Sequence, residues 1–334
     1  MTLTQVAHEA GVSVSTVSRY LRGQLKVQDK TAQRIDNAVR ATGYRVDRGT
    51  RRDGFIAMVV PELTNPFYTS LAEECSTLAA EAGYSLLIAA SGRQHARENA
   101  LSAQLSGTDS IVGLIFAGMH RTNAELERAI AGGLPVVVID EEVDLAPSTA
   151  VSTVTVDNYG GAYQATSYLA TLGHRRIAHV GGPPGLLTSE DRLRGYRDAL
   201  AAHGLDADEH LVLRGPYTEE YGASVVPYLT RAGAPTAVFV GSDIVAVGLL
   251  SGAELQGLRI PEDLSVVGCD GIQLGQWLRP RLTTLAQPVR PLAHAALEAL
   301  GGAIDSPGET TRQVLPLQLV VRGSAVAPRP APQA

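Results

Sequence analysis

Three aspartates stand at the ends of apolar, β-branched runs: Asp140 closes "PVVVID", Asp243 follows "TAVFVGS" and Asp270 closes "LSVVGCD". In open α/β sheets ligands bind just beyond the carboxyl ends of strands, so acids placed there are positioned to accept hydrogen bonds from a polyhydroxylated ligand. Each also has a plainer use as a cap for the following helix; "GIQLG" after Asp270 is a poor helix start, which weakens that use there. In "GGPPGLLTSEDRLRGYRDAL" Arg192 opens the spacing Arg, two residues, Gly, aromatic. Its guanidinium can fork onto vicinal hydroxyls or onto an acid such as Asp270. Arg194 reads as a surface residue. Tyr217, after "HLVLRGP", offers a ring for stacking on a sugar, and Gln287 follows the run "LTTLA". Phe67 and Tyr68 in "NPFY" read equally as helix-start packing or as the wall of a site.

Paired carboxylates are also the equipment of a glycosidase, but nothing here fixes two of them at a catalytic separation. "GGPPG" lacks the Lys and Ser of a phosphate-binding loop, and neither HExxH nor GxSxG occurs. No enzymatic activity is expected. Cys75 and Cys269 lie far apart without the short paired spacings of metal or redox sites, so free buried thiols are expected, with no metal and no cofactor. His174 in "LGHRRIAHV" reads as a structural residue at a strand entrance.

A second set of residues with a different chemistry lies near the amino terminus. "LTQVAHEAGVSVSTVSRYLRG" holds two short helical patterns separated by Gly11, with Val6, Ala7 and Ala10 on one side of the first. Ser13 stands where an N-cap belongs. Over Val14 to Arg22, at 100° per residue, Val17 and Leu21 form a buried stripe with Val14 at its edge, while Ser15, Ser18, Arg19 and Arg22 gather opposite. Such a face fits a DNA groove: Ser13 and the helix start offer donors to phosphate, Ser15 and Thr16 allow close backbone approach, Arg19 can grip guanine, and Val14 can meet a thymine methyl. A third helix over Asp29 to Thr42 is expected to bury Ala32, Ile35, Val39 and Thr42.

Charge agrees with this division. Residues 1–52 hold ten Lys/Arg against four Asp/Glu, a balance of +6 in a chain of net charge −6, so the remainder carries −12. A basic module on an acidic body points to a polyanionic partner for the first part alone. At 334 residues, 45% hydrophobic and 19% charged, the chain exceeds what one core serves. No basic segment followed by an apolar run opens the sequence, and no stretch of 18 apolar residues occurs, so a cytoplasmic protein without membrane spans is expected.

The strand-end residues need a scaffold that brings them together. From Phe55 onward ten short β-branched runs alternate with helical patterns, which predicts parallel sheets of the α/β class, divided into two doubly wound halves with a break near Val156.

"TQVAHEAGVSVSTVSRYLRG" followed by "VQDKTAQRIDNAVRATGYR" resembles the helix-turn-helix headpiece of the lactose-repressor (LacI/GalR) family, and the resemblance runs over nearly the whole chain. It implies a three-helix headpiece at 1–44, a hinge at 45–54, and a body at 55–330 of periplasmic-binding-protein type. In the body it implies one lobe of about 55–156 and 287–316 and a second of about 157–286 and 317–330. The proline-rich end at 331–334 is expected to be a tail. In the headpiece it implies base reading by the positions of Val14, Ser15 and Arg19, with backbone contacts at Ser13 and Thr16. In the body it implies a polar pocket of Asp140, Arg192, Tyr217, Asp243, Asp270 and Gln287 walled by Phe67 and Tyr68. The implied partners are double-stranded operator DNA, a small effector, most naturally a sugar, and a second copy of the chain, in the manner of a transcriptional repressor. "GYRVDRGTRRDGF" departs from the family: Val46 replaces the expected proline, and the leucine-bearing, alanine-rich hinge helix has no counterpart.

Overall fold

The computed structural model describes residues 3–21, 25–42, 54–147, 149–231 and 233–329. Arg22, the hinge residues 45–53 and the tail at 331–334, all singled out above, lie outside them.

The amino-terminal unit is three helices, α1 (Leu3–Ala10), α2 (Val14–Leu21) and α3 (Asp29–Thr42). Gly11 breaks α1 from α2 with φ at +63°, a conformation that costs a Cβ-bearing residue and that glycine adopts freely. Val6, Ala7 and Ala10 of α1, Val17 of α2, and Ile35 and Ala38 of α3 make the shared core. Ala38 takes the buried place expected of Ala32, Val39 and Thr42, which are only half-buried. The reason is that Ile35 and Ala38 stand one turn apart on the stripe that meets α1, and Ala38 is small enough to let the two helices approach.

The body follows in chain order: β1 (Phe55–Val60), α4 (Pro66–Glu81), β2 (Ser85–Ala90), α5 (His95–Ser106), β3 (Ile111–Phe116), α6 (Ala124–Ala131), β4 (Val136–Ile139) and β5 (Ser152–Val156). Next come α7 (Asn158–Thr171), β6 (Ile177–Gly181), α8 (Leu187–Ala202), β7 (Val212–Arg214), α9 (Glu219–Ser224), α10 (Val226–Leu229), β8 (Ala237–Val240) and α11 (Asp243–Leu255). The chain closes with β9 (Ser265–Asp270), β10 (Thr283–Ala286), α12 (Val289–Asp305), β11 (Arg312–Leu315) and β12 (Gln318–Val320).

These strands build two six-stranded sheets, in the orders β11-β5-β4-β3-β1-β2 and β12-β10-β9-β8-β6-β7. The chain crosses between them three times, after β5, after β10 and after β11. Both are parallel except at one edge, where β12 runs antiparallel to β10. The central strands are buried along their whole length, as in β4 and β8, which is why they read as unbroken apolar runs. Val59, Leu114, Phe116 and Val138 anchor the first core, and Val180, Val238, Val240, Leu249 and Val266 the second. Each such side chain contributes about 1.5–3 kcal/mol by leaving water.

Two strands, β11 and β12, are missing from the ten expected. They are short edge strands whose side chains are exposed or half-buried, so "RQVL" and "QLV" carry neither alternation nor a long apolar run. His174 is structural: its ring bridges the Thr236 hydroxyl and the Val326 carbonyl, both at 2.8 Å.

Candidate functional site

The carboxyl ends of the two sheets face one another across a cleft lined by Asn65, Phe67, Tyr68, Asp140, Glu141, Thr188, Arg192, Tyr217, Ser242, Asp270 and Gln287 among others. Asp140 follows β4 and Asp270 ends β9, and both sit in the left-handed backbone region, at φ +68° and +123°. Non-glycine residues rarely hold that conformation, and where they do the surroundings must fix it. Here the fixing contacts are visible. Tyr68 donates its hydroxyl to Asp140 Oδ2 at 2.9 Å. Asp270 Oδ2 accepts from the Ser242 hydroxyl at 2.7 Å and the Asp243 amide at 3.3 Å, and its Oδ1 accepts from Gln287 Nε2 at 3.0 Å.

Arg192 lies on α8, 4% exposed. Gly195, one turn further on, meets the Tyr159 carbonyl and Ala162 of α7 so closely that a Cβ there has no room; this seats α8 against α7. The Arg192 guanidinium does not fork onto Asp270, the geometry weighed from sequence. Its Nε donates to Asn158 Oδ1 at 2.8 Å and its Nη1 to the Gly241 carbonyl. Asn158 opens α7 at the first crossover between the sheets and is buried, with its own amide donated to the Val156 carbonyl at 3.2 Å. The arginine is thereby aimed by two backbone junctions, and Nη2 has no acceptor among the described residues.

Asp243 requires a correction. It does not line the cleft: it is the first residue of α11, wholly buried, and its carboxylate is consumed by the floor beneath Asp270. The amides of Gly271 and Ile272 donate to Oδ2 at 2.8 and 2.9 Å, and the Thr284 hydroxyl donates to Oδ1 at 2.7 Å. It holds the loop after β9 in place. Tyr68 also differs from the apolar role expected of it, since its hydroxyl serves Asp140 while its ring meets Phe67 edge-on at 5.0 Å. Phe67, Tyr217 and Gln287 do line the cleft, so seven of the eight body residues picked from sequence converge there. Glu141, Asn158 and Ser242 were missed. Each is an unremarked neighbour of a junction residue, and its meaning comes from contacts 28 to 47 positions away in the chain.

The electrostatics follow from burial. Loss of water pushes Asp140 up to about 7, against the opposing pull of the Arg192 guanidinium. Asp243 and Asp270 are both raised, first by burial; for Asp243 the charge of Asp270 adds to it, and for Asp270 the Arg192 guanidinium opposes it. The space enclosed by these side chains is about 30 Å³. A wider chamber of about 550 Å³, lined by Arg93, His95, His120, Arg121, Pro183 and Pro184 among others, shares Met119, Leu186 and Tyr217 with it. The Arg93 guanidinium donates to the Tyr217 carbonyl at 3.3 Å, joining the two lobes at this mouth.

The amino-terminal unit presents a second arrangement. The Ser13 hydroxyl accepts from the Thr16 amide at 3.1 Å, capping α2 as expected, and it also meets the hydroxyls of Ser15 at 2.9 Å and Thr16 at 2.7 Å. Ser13, Val14, Ser15 and Arg19 are exposed and Thr16 and Ser18 are half-buried, so the predicted face is open at Ser15 and Arg19. Tyr20 turns away from it and donates its hydroxyl to Asp36 of α3 at 3.3 and 3.4 Å.

A helix pair with an open face of hydroxyls and arginine, carried on the same chain as a two-lobed polar cleft, defines a DNA-binding regulator of the ligand-responsive class. Residues 2–47 match the bacterial regulatory proteins of the lacI family, and residues 166–325 match the periplasmic binding protein-like domain. The chain is 35% identical over 335 residues to the HTH-type transcriptional repressor CytR of Escherichia coli (strain K12), covering 98% of this chain and 96% of that protein. Among solved structures it is similar to the transcriptional regulator CelR–cellobiose complex, with 33% identity, a TM-score of 0.74, and coverage of 97% and 99% of the two chains. A ribose-bound LacI family regulator from Enterococcus faecium matches with 26% identity and a TM-score of 0.74 over 82% of this chain and 99% of that one. The chain belongs to the lacI family of bacterial regulatory proteins.

Proposed function

We propose that this regulator is a homodimeric repressor whose operator affinity is switched by a small sugar held between the two lobes. The observation that carries the reading is the convergence of Asp140, Arg192, Asp270 and Gln287 from four separate elements onto one cleft beside the Phe67–Tyr68 wall. Carboxylates, a fixed guanidinium and an amide next to aromatic rings are the groups that bind vicinal hydroxyls on one side of a sugar and its apolar face on the other. The relatives crystallised with cellobiose and with ribose support the same ligand class. The cleft is lined from both lobes, and Glu141 and Arg93 already bond across it, so a ligand held there bears on how the lobes close. Closure around one ligand and not another is what biases a two-state regulator.

In this reading residues 1–44 form the headpiece, 45–54 the hinge and 55–330 the effector body. Ser13 and Thr16 hold phosphates, Val14, Ser15 and Arg19 read base edges, and Asp140, Arg192, Tyr217, Asp270 and Gln287 hold the effector. Exposed apolar side chains are available to a partner copy: Leu87 and Ile88 on edge strand β2, and Leu255 and Trp277 on the other lobe. The described residues include no helix long and apolar enough to cross a membrane. The test is a gel shift of the full-length protein on genomic fragments, followed by a thermal-shift screen of mono- and disaccharides, nucleosides and sugar phosphates. A selected fragment released or tightened by one of the stabilising sugars is the expected result. Equal affinity for all fragments would refute the operator assignment, and a response confined to nucleosides would refute the sugar.

A further inference from the structure

Next to Asp140 the chain carries a second acid, Glu141, 3% exposed and on the cleft wall. Its carboxylate reaches across to the other lobe. Oε1 accepts from the Leu187 amide at 2.8 Å, and Oε2 accepts from the Thr188 amide at 3.3 Å and the Thr188 hydroxyl at 2.8 Å. These donors open α8, a helix of 16 residues whose N-cap, Leu186, has no side chain able to cap it. An acid after β4 in one sheet therefore caps a helix that belongs to the other.

The free N–H groups and positive end of a helix are where the phosphate or carboxylate of a ligand docks. Here the protein's own carboxylate has taken that place. The rest of the cleft has the same bias. In the inner cleft Asp140 and Asp270 add two more acids against the guanidinium of Arg192, two of whose nitrogens are already committed, while Arg93 and Arg121 of the wider chamber are paired with Glu62 and Asp144. Gln287 spends its amide N–H on Asp270, leaving Oε1 as a buried acceptor without a partner among the described residues. Beside these acceptors the Tyr217 hydroxyl and Arg192 Nη2 remain as donors, so an uncharged ligand that both donates and accepts fits, while an anion brings a like charge to the carboxylates.

We infer that Glu141 is a specificity-determining residue of the cleft: by filling the anion-accepting end of α8 from the opposite lobe, it admits uncharged, hydroxyl-donating effectors and excludes sugar phosphates and sugar acids. This rests on the cleft being the effector site and narrows the ligand class within it. Burial raises the Glu141 carboxyl above its ordinary range, and the bonds from Thr188 and Leu187 oppose that rise. Because the contact spans the lobes, it forms only when they are together, so charge selection and closure are one event.

The experiment is thermal unfolding of the full-length protein titrated with inorganic phosphate, using chloride of matched ionic strength as the reference. Wild type is expected to show no phosphate-specific rise. Glu141→Ala, which leaves the Leu187 and Thr188 donors open, is expected to gain a saturable rise of about 2–4 °C. Glu141→Ser, whose hydroxyl is too short to reach α8, serves the same purpose if the alanine variant does not fold. Glu142→Ala, which removes a neighbouring acid paired with Arg312, is expected to gain nothing. A rise of equal size in wild type or in Glu142→Ala, or no rise in either folded Glu141 variant, would overturn the inference. The phosphate readout needs no sugar, so a gain in Glu141→Ala without any sugar response would sink the sugar reading and leave the anion-filling role standing.

Discussion

The headpiece and the cleft are both recognition surfaces, built by opposite means. In the headpiece, one helix of eight residues and the Ser13 that caps it set out Ser13, Val14, Ser15 and Arg19 as exposed side chains within two turns of chain. Those side chains are hydrated and cost nothing to bury. In the cleft, Asp140, Arg192, Asp270 and Gln287 arrive from β4, α8, β9 and the crossover after β10, and all are less than a tenth exposed. Their charges are tolerable only because each is bonded to a further residue: Tyr68, Asn158, Ser242 or one another. A polyanion is met at the surface, where mobile hydrated groups and release of counterions suffice. A small ligand must be enclosed, and enclosure demands fixed polar groups.

If this contrast holds, damage in the cleft spreads into stability while damage on α2 does not. The largest effect is expected for Arg192→Ala, which leaves Asn158 Oδ1, the Gly241 carbonyl and the neighbouring acids without their cation. A loss of about 3–5 kcal/mol of body stability is expected, together with loss of the effector response, while the folded protein still binds operator. Denaturant unfolding and gel shift on the same preparation check both halves; retained effector sensitivity would remove Arg192 from the site.

Next comes the pH dependence. Asp140 binds its proton up to about pH 7 in the folded body but only to about 4 when unfolded, so the folded state holds the extra proton between those values. Its contribution therefore falls as pH rises from about 4 to 7. His179, held down to about 3 by burial between Tyr196 and Phe239, acts in the opposite direction from about 3 to 6.5. Subtracting Asp140→Asn from wild type isolates the first: the difference should decline over that window, and a flat difference would deny the burial argument.

A smaller and confined effect is expected for Arg19→Ala: discrimination of operator from scrambled DNA drops by about 1–3 kcal/mol with the body's melting unchanged. Competition gel shifts measure the first and calorimetry the second. Smallest is Ser13→Ala, which removes the cap of α2 and should lower headpiece stability by about 1 kcal/mol. A headpiece melt followed by circular dichroism shows it; any accompanying change in effector affinity would mean the two surfaces are less separate than drawn.

The same contrast explains what could be read from the residues alone. The headpiece was legible because its information is local: a glycine turn, a serine cap and a stripe at 3.6-residue spacing all lie within "AGVSVSTVSRYL". The slips there, Ala38 buried in place of Ala32, Val39 and Thr42, and Leu21 only half-buried, are matters of which side of a helix faces its neighbours. In the body, strand-end aspartates could be found by position, but not what their carboxylates do. Asp243 looked like Asp140 and Asp270 because it also follows an apolar run, yet the loop after β9 folds back and takes its oxygens. Glu141 sat beside a chosen residue and carried no signal, since its partners are 46 and 47 positions later. The edge strands β11 and β12 gave none either, being short and half-exposed.

The three chain crossings also set an order of events during synthesis. The first sheet is nearly finished once β5 has emerged, yet its edge strand β11 and its covering helix α12, which packs on α4 and on β3, β4 and β5, are encoded only after residue 286. The whole second sheet except β12 is made in between. The last fifty residues thus complete both lobes, so a truncation near the end removes the edge strand of each sheet at once. Domains generally fold as units, amino-terminal first, as they emerge, so the carboxyl-terminal segment, which adds α12 to one lobe and an edge strand to each, is expected to join two lobes whose sheets are already largely laid down.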